Sequence, residues 1–349
     1  IEEGVLVGCV LLHPERAGAP NAGGGRLFQM AVREDRQRSG RGARLVRHLE
    51  AIAAERGVHH IHLHARSAVA GFYDALGYTP YGPEYEEVGL PHVSMEKVLA
   101  LPDPNGTVAA QLGLGGLLSV TGPDRRAWLQ GMVSNDVLDP LPPGGRYALV
   151  LDGKGHVLAE ARVIDDLVRE KLWIAVAPGT EGRVQRHLAG LLVAEDAEVA
   201  VVPDVTTVTV QGPLADAVAR SAAALCYVTH DRTGLGGLDV VLAAGESLHG
   251  VNLVHPRVLD SLRIRAGIPS YGSDFGESTL PQEAGLHAAI HWGKGCYVGQ
   301  EVVARLGHRG QTARELRHVR LAKALPVGTE FFLSGDERAV GHVTSVAPR

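Results

Sequence analysis

The residues best suited to chemistry lie in the run Lys294-Gly295-Cys296-Tyr297-Val298-Gly299-Gln300-Glu301, followed by Arg305 and the Arg309-Gly310 pair. One of only three cysteines stands there between two glycines, close to a lysine and before a Gln-Glu pair. Gly295 and Gly299 let the backbone turn tightly and remove side chains that would bury the thiol. Lys294 supplies positive charge, which favours the thiolate, the reactive form of cysteine. A second candidate is Gln37-Arg38-Ser39-Gly40-Arg41-Gly42-Ala43, between a strand-like run and a helix. Backbone N–H groups at such a turn converge on a phosphate, and the helix dipole adds to them. Arg38 and Arg41 bring further positive charge. A third is the histidine series His60, His62 and His64, which alternate and so share one strand face. Zinc draws its ligands from more than one element, and no fourth ligand follows. Hydrogen-bonded histidines, and no metal, are therefore expected.

The chain of 349 residues has length for two or three domains with buried cores. Its net charge of −5 argues against a general electrostatic nucleic-acid binder. Cys9, Cys226 and Cys296 are too far apart for a disulfide framework or a zinc cluster, and suit a reducing cytoplasm. No apolar run reaches the roughly 18 residues that span a membrane. Both ends fall within strand-like runs and read as cut inside elements.

The elements that position these residues follow in order. Gly4 to Leu12 and Leu27 to Val32 are strands. A helix follows the glycine turn, with Leu45, Val46, Leu49, Ile52 and Ala53 on one face and Gly57 closing it. His60 to His64 is a strand, Val69 to Leu76 a helix, then come a loop and a strand near Pro91 to Val98. Gln37-x-x-Gly40-x-Gly42, with Ala70, Phe72-Tyr73 and Leu76-Gly77-Tyr78, resembles the GNAT acyl-CoA N-acyltransferases. The resemblance implies a mixed-sheet domain over residues 1–100 that binds acetyl-CoA. Gln37, Arg38, Gly40, Arg41, Gly42 and Ala43 would hold the pyrophosphate, and Tyr73 would protonate the departing CoA thiolate. Ser67 stands where that family often has Asn, and the strand and two helices that wall its acceptor site have no counterpart before Gly4.

Residues 101–106 form a Pro/Gly-rich linker. Beyond it, Lys294-Gly295-Cys296-Tyr297-x-Gly299-Gln300-Glu301 resembles the signature of the YgfZ/GcvT-like folate-binding proteins. Asp124-x-x-x-x-Leu129-Gln130-Gly131, Ser134-Asn135-Asp136, Ser261-Leu262-Arg263 and Pro281-x-Glu283 extend the likeness. The resemblance implies a multi-lobed α+β fold over residues 107–315. Alternating strands over Leu316 to Leu321, Thr329 to Leu333 and Ala339 to Ser345, with Pro326 and Gly328 between, read as a small, partial antiparallel β-barrel over 316–349. The resemblance also implies tetrahydrofolate in a central pocket, with Asp239 on the pterin ring, Arg263 in the pocket and Glu283 near the cysteine segment. Cys296 would stand exposed at the rim, in a protein supporting iron–sulfur enzymes and meeting those enzymes or their assembly factors.

Within the second part, strands are expected at Leu117 to Thr121, Tyr147 to Leu151, Val157 to Ile164, Leu172 to Val176, Thr206 to Gln211 and Leu238 to Leu242. Helices are expected after Asp124, over Thr180 to Leu192 and over Pro213 to Leu225. The related aminomethyltransferases carry an Asp-Asp pair where this chain has Ala159-Glu160. They also have a longer loop where Leu235-Gly236-Gly237 stands. Both departures speak against aminomethyl transfer. The expected whole is an α+β fusion of an N-acyltransferase module with a folate-binding one. Two alternatives stand beside it: a non-catalytic folate-binding accessory protein with a degenerate CoA-binding domain, and a glycine-cleavage-type aminomethyltransferase.

Overall fold

Strand β1 (Gly8–Pro14) and strand β2 (Gly24–Val32) pair antiparallel, and β2 leads through the glycine turn into helix α1 (Arg41–Glu55). These come from a computed structural model that describes residues 6–15, 22–99, 106–138, 140–248, 251, 253–310, 312–321, 325–335 and 337–347. The expected linker lies almost wholly outside them. Helix α1 buries Val46, Leu49 and Ala53, one helical face, against the sheet. Strand β3 (His60–Arg66), helix α2 (Ala70–Asp74) and strands β4 (Thr79–Glu87) and β5 (Leu90–Val98) complete a sheet of order β1-β2-β3-β5-β4. The expected loop after Tyr78 is instead β4. Its Pro80, Gly82 and Pro83 mask the pattern, and prolines are tolerated because β4 is an edge strand with a bulge between Tyr81 and Tyr85.

The next stretch builds two sheets. One has the order β11-β7-β10-β9-β8, from β7 (Leu117–Thr121), β8 (Arg146–Leu151), β9 (Val157–Asp166), β10 (Lys171–Ala175) and β11 (Glu198–Val201). The other has the order β13-β14-β12-β6, from β6 (Val108–Leu114), β12 (Val205–Gln211), β13 (Ala224–Thr229) and β14 (Gly237–Ala243). Helices α3 (Arg125–Gln130) and α4 (Glu181–Ala189) each join two strands of the first of these sheets, and α5 (Ala215–Ala219) joins two of the second. The helix expected over Pro213 to Leu225 stops at Ala219, and Ala224–Thr229 is strand β13. An alanine-rich run reads as helical, but pairing with β14 decides the outcome.

Each sheet contains the same corner, a strand followed by Gly-Pro and a short helix. Gly122 (φ 95°) and Gly212 (φ 116°) hold these corners. A Cβ at Gly122 would meet the Asp196 carbonyl oxygen at 2.2 Å, and one at Gly212 the Gly106 oxygen at 2.4 Å. Only glycine fits either place.

The chain forms two compact units: Asn105–Val251 with Gly267–His318, and the first hundred residues with Asn252–Ala266 and Val319–Arg349. Helix α6 (Pro256–Ala266) thus belongs to the first unit, and α7 (Gln300–Arg309) to the second. Among the described residues the expected C-terminal barrel is not formed. β15 (Glu330–Phe332) and β16 (Ala339–His342) make a two-stranded ribbon, and 316–321 is irregular. Two short strands offer too few pairing partners to close a barrel.

In the first unit the segment before α6 meets the histidine face of β3. The His255 ring stacks on His60 at 4.1 Å. Glu96 of β5 accepts from His60 Nε2 at 2.9 Å and pairs with Arg257 at 3.0 Å. Burial, then the charges of His60, Arg257 and His62, lower the His255 pKa to about 3. The unfolded chain takes up that proton near pH 6.5, and the folded chain does not until about pH 3. Stability is therefore lost as pH falls through this window, by up to about 1.4 kcal/mol per pH unit. Denaturant unfolding of the whole chain between pH 7 and 5 should show this slope, and His255→Phe should flatten it.

Candidate functional site

The first unit brings the expected phosphate turn to the place where its sheet opens. β2 is in register with β3 only through Gly24, Gly25 and Arg26, opposite His60, Ile61 and His62. From Leu27 to Val32 the edge of β2 facing β3 has no strand beside it among the described residues, so its peptide groups stay available. The turn follows directly. Gln37 Nε2 donates to the Val32 carbonyl at 3.0 Å, Arg38 has φ 54°, and Gly40, at φ 79°, caps α1. The first turn of α1 carries no acidic residue, which leaves its positive end uncompensated. Arg41 donates to Ser39 Oγ at 2.9 Å. A Cβ at Gly42 would meet Met30 Cε at 3.2 Å and Phe72 Cζ at 3.4 Å, so glycine lets α1 approach β2 closely. Ala43 is half-buried behind it.

Tyr73 is buried on α2, and its hydroxyl points to Met30 Sδ at 3.8 Å, on the unpaired half of β2. Burial raises its pKa, so the phenol stays protonated through neutral pH. Gly42 of the turn and Tyr73 thus share one neighbour, Met30 of β2. Ser67 donates to Glu84 at 2.7 Å. Among the described residues no three of His, Cys, Asp and Glu gather as metal ligands.

In the second unit a cavity of about 60 Å³ lies between the two sheets. Its charged wall is Glu160 and Arg162 of β9, His230, Arg232, and Asp239 of β14, with Tyr271 at one side. Asp239, the expected pterin contact, does line it, but its carboxylate is already engaged. It accepts from His230 Nδ1 at 2.8 Å and from Arg232 through Nε at 2.9 Å and a terminal nitrogen at 2.7 Å. Burial pushes this carboxyl upward, yet Arg232 and His230 more than offset it and hold it well below the usual carboxylate range. Burial and Arg232 lower His230 to about 3, against Asp239, so its ring is neutral.

Arg263 and Cys296 are not among the residues lining this cavity. Arg263, grouped with the first unit, is buried on α6 and donates to Asp260 at 2.7 Å and Ser345 at 3.1 Å. Glu283 binds Arg314 at 3.0 Å and the Leu280 N–H at 2.9 Å, ordering the chain ahead of the cysteine segment.

The motif itself is a tightly built loop. Cys296 is exposed. Lys294, expected to lend its charge to the thiol, turns inward: its ammonium donates to the carbonyls of Gln130, Val133 and Asn135, each at 2.7 Å. Three convergent carbonyls on a buried loop are a better partner for an ammonium than an exposed thiol. Tyr297 is buried, and its N–H donates to Gln300 Oε1 at 3.3 Å. Gly299 (φ 80°) caps α7, and a Cβ there would meet the Asp152 oxygen at 2.5 Å. Gly295 has open space where a Cβ would stand, and Glu301 pairs with Arg305 at 2.6 Å on the surface. Most of the signature therefore shapes the loop that holds Cys296 out.

The residues that sequence reasoning missed are Tyr147, Arg162, His230 and Arg232, with Glu160 weighed only as a departure from a pattern. The available signal was Leu158, Glu160, Arg162 and Ile164, alternating with the buried Val157, Ala159, Ala161 and Val163. Two charges on the inward face of one strand mark a polar cavity.

Residues 2–99 match the model of the acetyltransferase (GNAT) domain. The aminomethyltransferase of Bordetella petrii is 30% identical over 205 residues, 48% of this chain and 54% of that protein. The iron-sulfur cluster assembly factor IBA57 homolog of Pyricularia oryzae is 28% identical over 212 residues, 57% of this chain and 54% of that protein. The chain thus spans about half the length of the curated relatives it matches. The glycine cleavage system aminomethyltransferase T of Bartonella henselae shares the fold, with a TM-score of 0.54 at 18% identity over 79% of this chain and 84% of that one. Residues 2–99 carry a GNAT acetyltransferase domain, and the chain beyond them is an aminomethyltransferase- and IBA57-like region.

Lys294→Met should lower stability by about 3 kcal/mol or more, because three buried carbonyls lose one charged donor. Denaturant unfolding reads this. An unchanged midpoint would mean that the ammonium does not hold the 130–135 loop.

Proposed function

We propose that the first unit transfers an acyl group from acyl-CoA to an amine, and that the second binds tetrahydrofolate as a YgfZ-like factor supporting iron–sulfur enzymes through Cys296. The observation that carries the first half is the stretch of β2 beyond Arg26 that β3 does not pair with, where Gly42 of α1 and the Tyr73 hydroxyl both lie against Met30. The CoA pyrophosphate fits the N–H groups of the glycine turn, with Arg38 and Arg41 adding charge. The pantetheine amides fit the unpaired edge of β2. The amine attacks the thioester carbonyl, the C–S bond breaks as the C–N bond forms, and the amine sheds a proton. The Tyr73 hydroxyl then protonates the leaving thiolate.

The cavity between the two sheets supports the second half. It joins carboxylates and guanidinium groups in a buried place, which suits a flat heterocycle carrying both donors and acceptors. Ala159, buried in the core, takes one position of the pair that aminomethyltransferases use, so a single carboxylate, Glu160, reaches the cavity from there. That favours folate binding over aminomethyl transfer. The exposure of Cys296 on its own loop supports a role toward a protein partner.

Calorimetric titration of the full chain with acetyl-CoA should give binding that weakens at least 10-fold in a paired Arg38→Glu, Arg41→Glu variant while folate binding is unchanged. Turnover with amine acceptors should fall about 100-fold in Tyr73→Phe at unchanged CoA affinity. In cells, Cys296→Ala should not restore iron–sulfur enzyme activity where the unaltered chain does. Equal turnover by Tyr73→Phe, or equal rescue by both chains, would refute the corresponding half.

A further inference from the structure

The charged groups on the cavity wall are not equally occupied. Asp239 and Arg232 hold each other, so their charges cancel and both carboxylate oxygens are used. Glu160 and Arg162 stand two residues apart on β9, on the same face, and form no ion pair with each other. Glu160 accepts one hydrogen bond, from the Tyr147 hydroxyl at 2.5 Å to Oε1. The guanidinium of Arg162 stacks on the Tyr147 ring, 4.4 Å from its centre, and makes no hydrogen bond with any described residue. Its Nε is fully buried without a partner. A guanidinium left in this state is costly unless something else completes it, because burial disfavours its charge and lowers its pKa against the pull of Glu160 and Asp239.

We propose that Glu160 and Arg162, both positioned by Tyr147, form the recognition edge of the cavity and read the adjacent N–H and C=O of a planar lactam heterocycle. The ligand N–H donates to the free oxygen of Glu160, and the neighbouring carbonyl accepts from Arg162. The charges of the wall decide the ligand's class. Arg162 and Arg232 balance Glu160 and Asp239, so an anion bound at Arg162 would face Glu160 unscreened, whereas a neutral lactam satisfies both. Tyr147 is a positioning residue: its hydroxyl fixes one partner and its ring fixes the plane of the other. The cross-strand register opposes Tyr147 to Arg162 directly, which makes this stacking a property of the sheet. The proposal rests on the folate-binding reading of the same cavity and assigns the contact to β9 in place of Asp239.

The test compares two ring systems that differ at one edge: pterin, whose ring carries the lactam, and 2,4-diaminopteridine, which replaces that carbonyl with a donor. Binding to the full chain is followed by calorimetry, with melting curves confirming that each variant is folded. The unaltered chain should prefer pterin and 5-formyltetrahydrofolate by 10-fold or more. Arg162→Met should weaken pterin between about 10- and 100-fold and bring the ratio near one, as loss of a charged donor predicts. Arg162→Lys should recover part of the affinity but little of the discrimination, since an ammonium lacks the planar fork. Glu160→Gln should weaken both ring systems. Pterin and folate binding whose preference is untouched in Arg162→Met would overturn the recognition edge and leave the folate reading standing. Binding of guanine but of no pterin, lost in Arg162→Met, would overturn the folate reading and uphold the edge. Binding of no lactam heterocycle at all would remove both.

Discussion

The second unit depends on one constraint: charges enclosed between two sheets must be matched there. Asp239 is tolerable in the interior because Arg232 and His230 reach it from the chain ahead of β14. Removing Arg232 would leave a buried charge uncompensated, which costs more than the pair contributes, and removing the neutral His230 would take one hydrogen bond from the carboxylate. The same requirement fixes the short turn between β13 and β14. Gln211 Oε1 accepts the Arg232 N–H at 2.8 Å, and Gln211 Nε2 donates to the His230 carbonyl at 2.8 Å. A Cβ at Gly237 would meet the Gln211 amide at 2.4 Å, so the glycine makes room for the side chain that ties the turn down. The cavity is what remains at the end of an inter-sheet core of Leu117, Trp173, Val205, Val228 and Val241 once these polar groups have been accommodated.

The first unit obeys a different rule. Its sheet is continuous where β2 meets β3 and then opens, and the opening exposes peptide groups that a closed sheet would have used. Helix α1 begins there because Gly40 takes a positive φ and Gly42 allows contact with Met30 and Phe72. The other face of β3 carries the histidines, and there the ion pair of Arg257 with Glu96 and the stack of His255 on His60 seat a segment from far along the chain. Local periodicity positions the opening, while long-range charge pairing organises the opposite face.

Much of this was legible in the sequence, and the exceptions have physical reasons. Helix α1, the hairpin of β8 and β9, and the glycine turn follow from periodicity and from residues whose conformation is restricted. β4 was hidden because prolines and a glycine interrupt a strand that an edge position tolerates. β13 was hidden because alanines favour a helix until a neighbouring strand claims them. The barrel was an expectation from three alternating runs, of which Leu316 to Leu321 is irregular while the other two supply only a ribbon among the described residues. Lys294 was placed correctly in the motif but given the wrong neighbour, since proximity along a chain does not decide which way a side chain turns.

That last point bears on what the cysteine signature means. Lys294 orders the 130–135 loop, Tyr297 fills the core beside α7, and Gly299 admits the hairpin turn at Asp152. Each of these residue types is dictated by packing, and each is satisfied without the thiol. Cys296 differs: it makes no hydrogen bond with any described residue and stands exposed beside them. A thiol left exposed on a loop whose other residues are fixed by packing is the feature on which the proposed outward role of Cys296 rests.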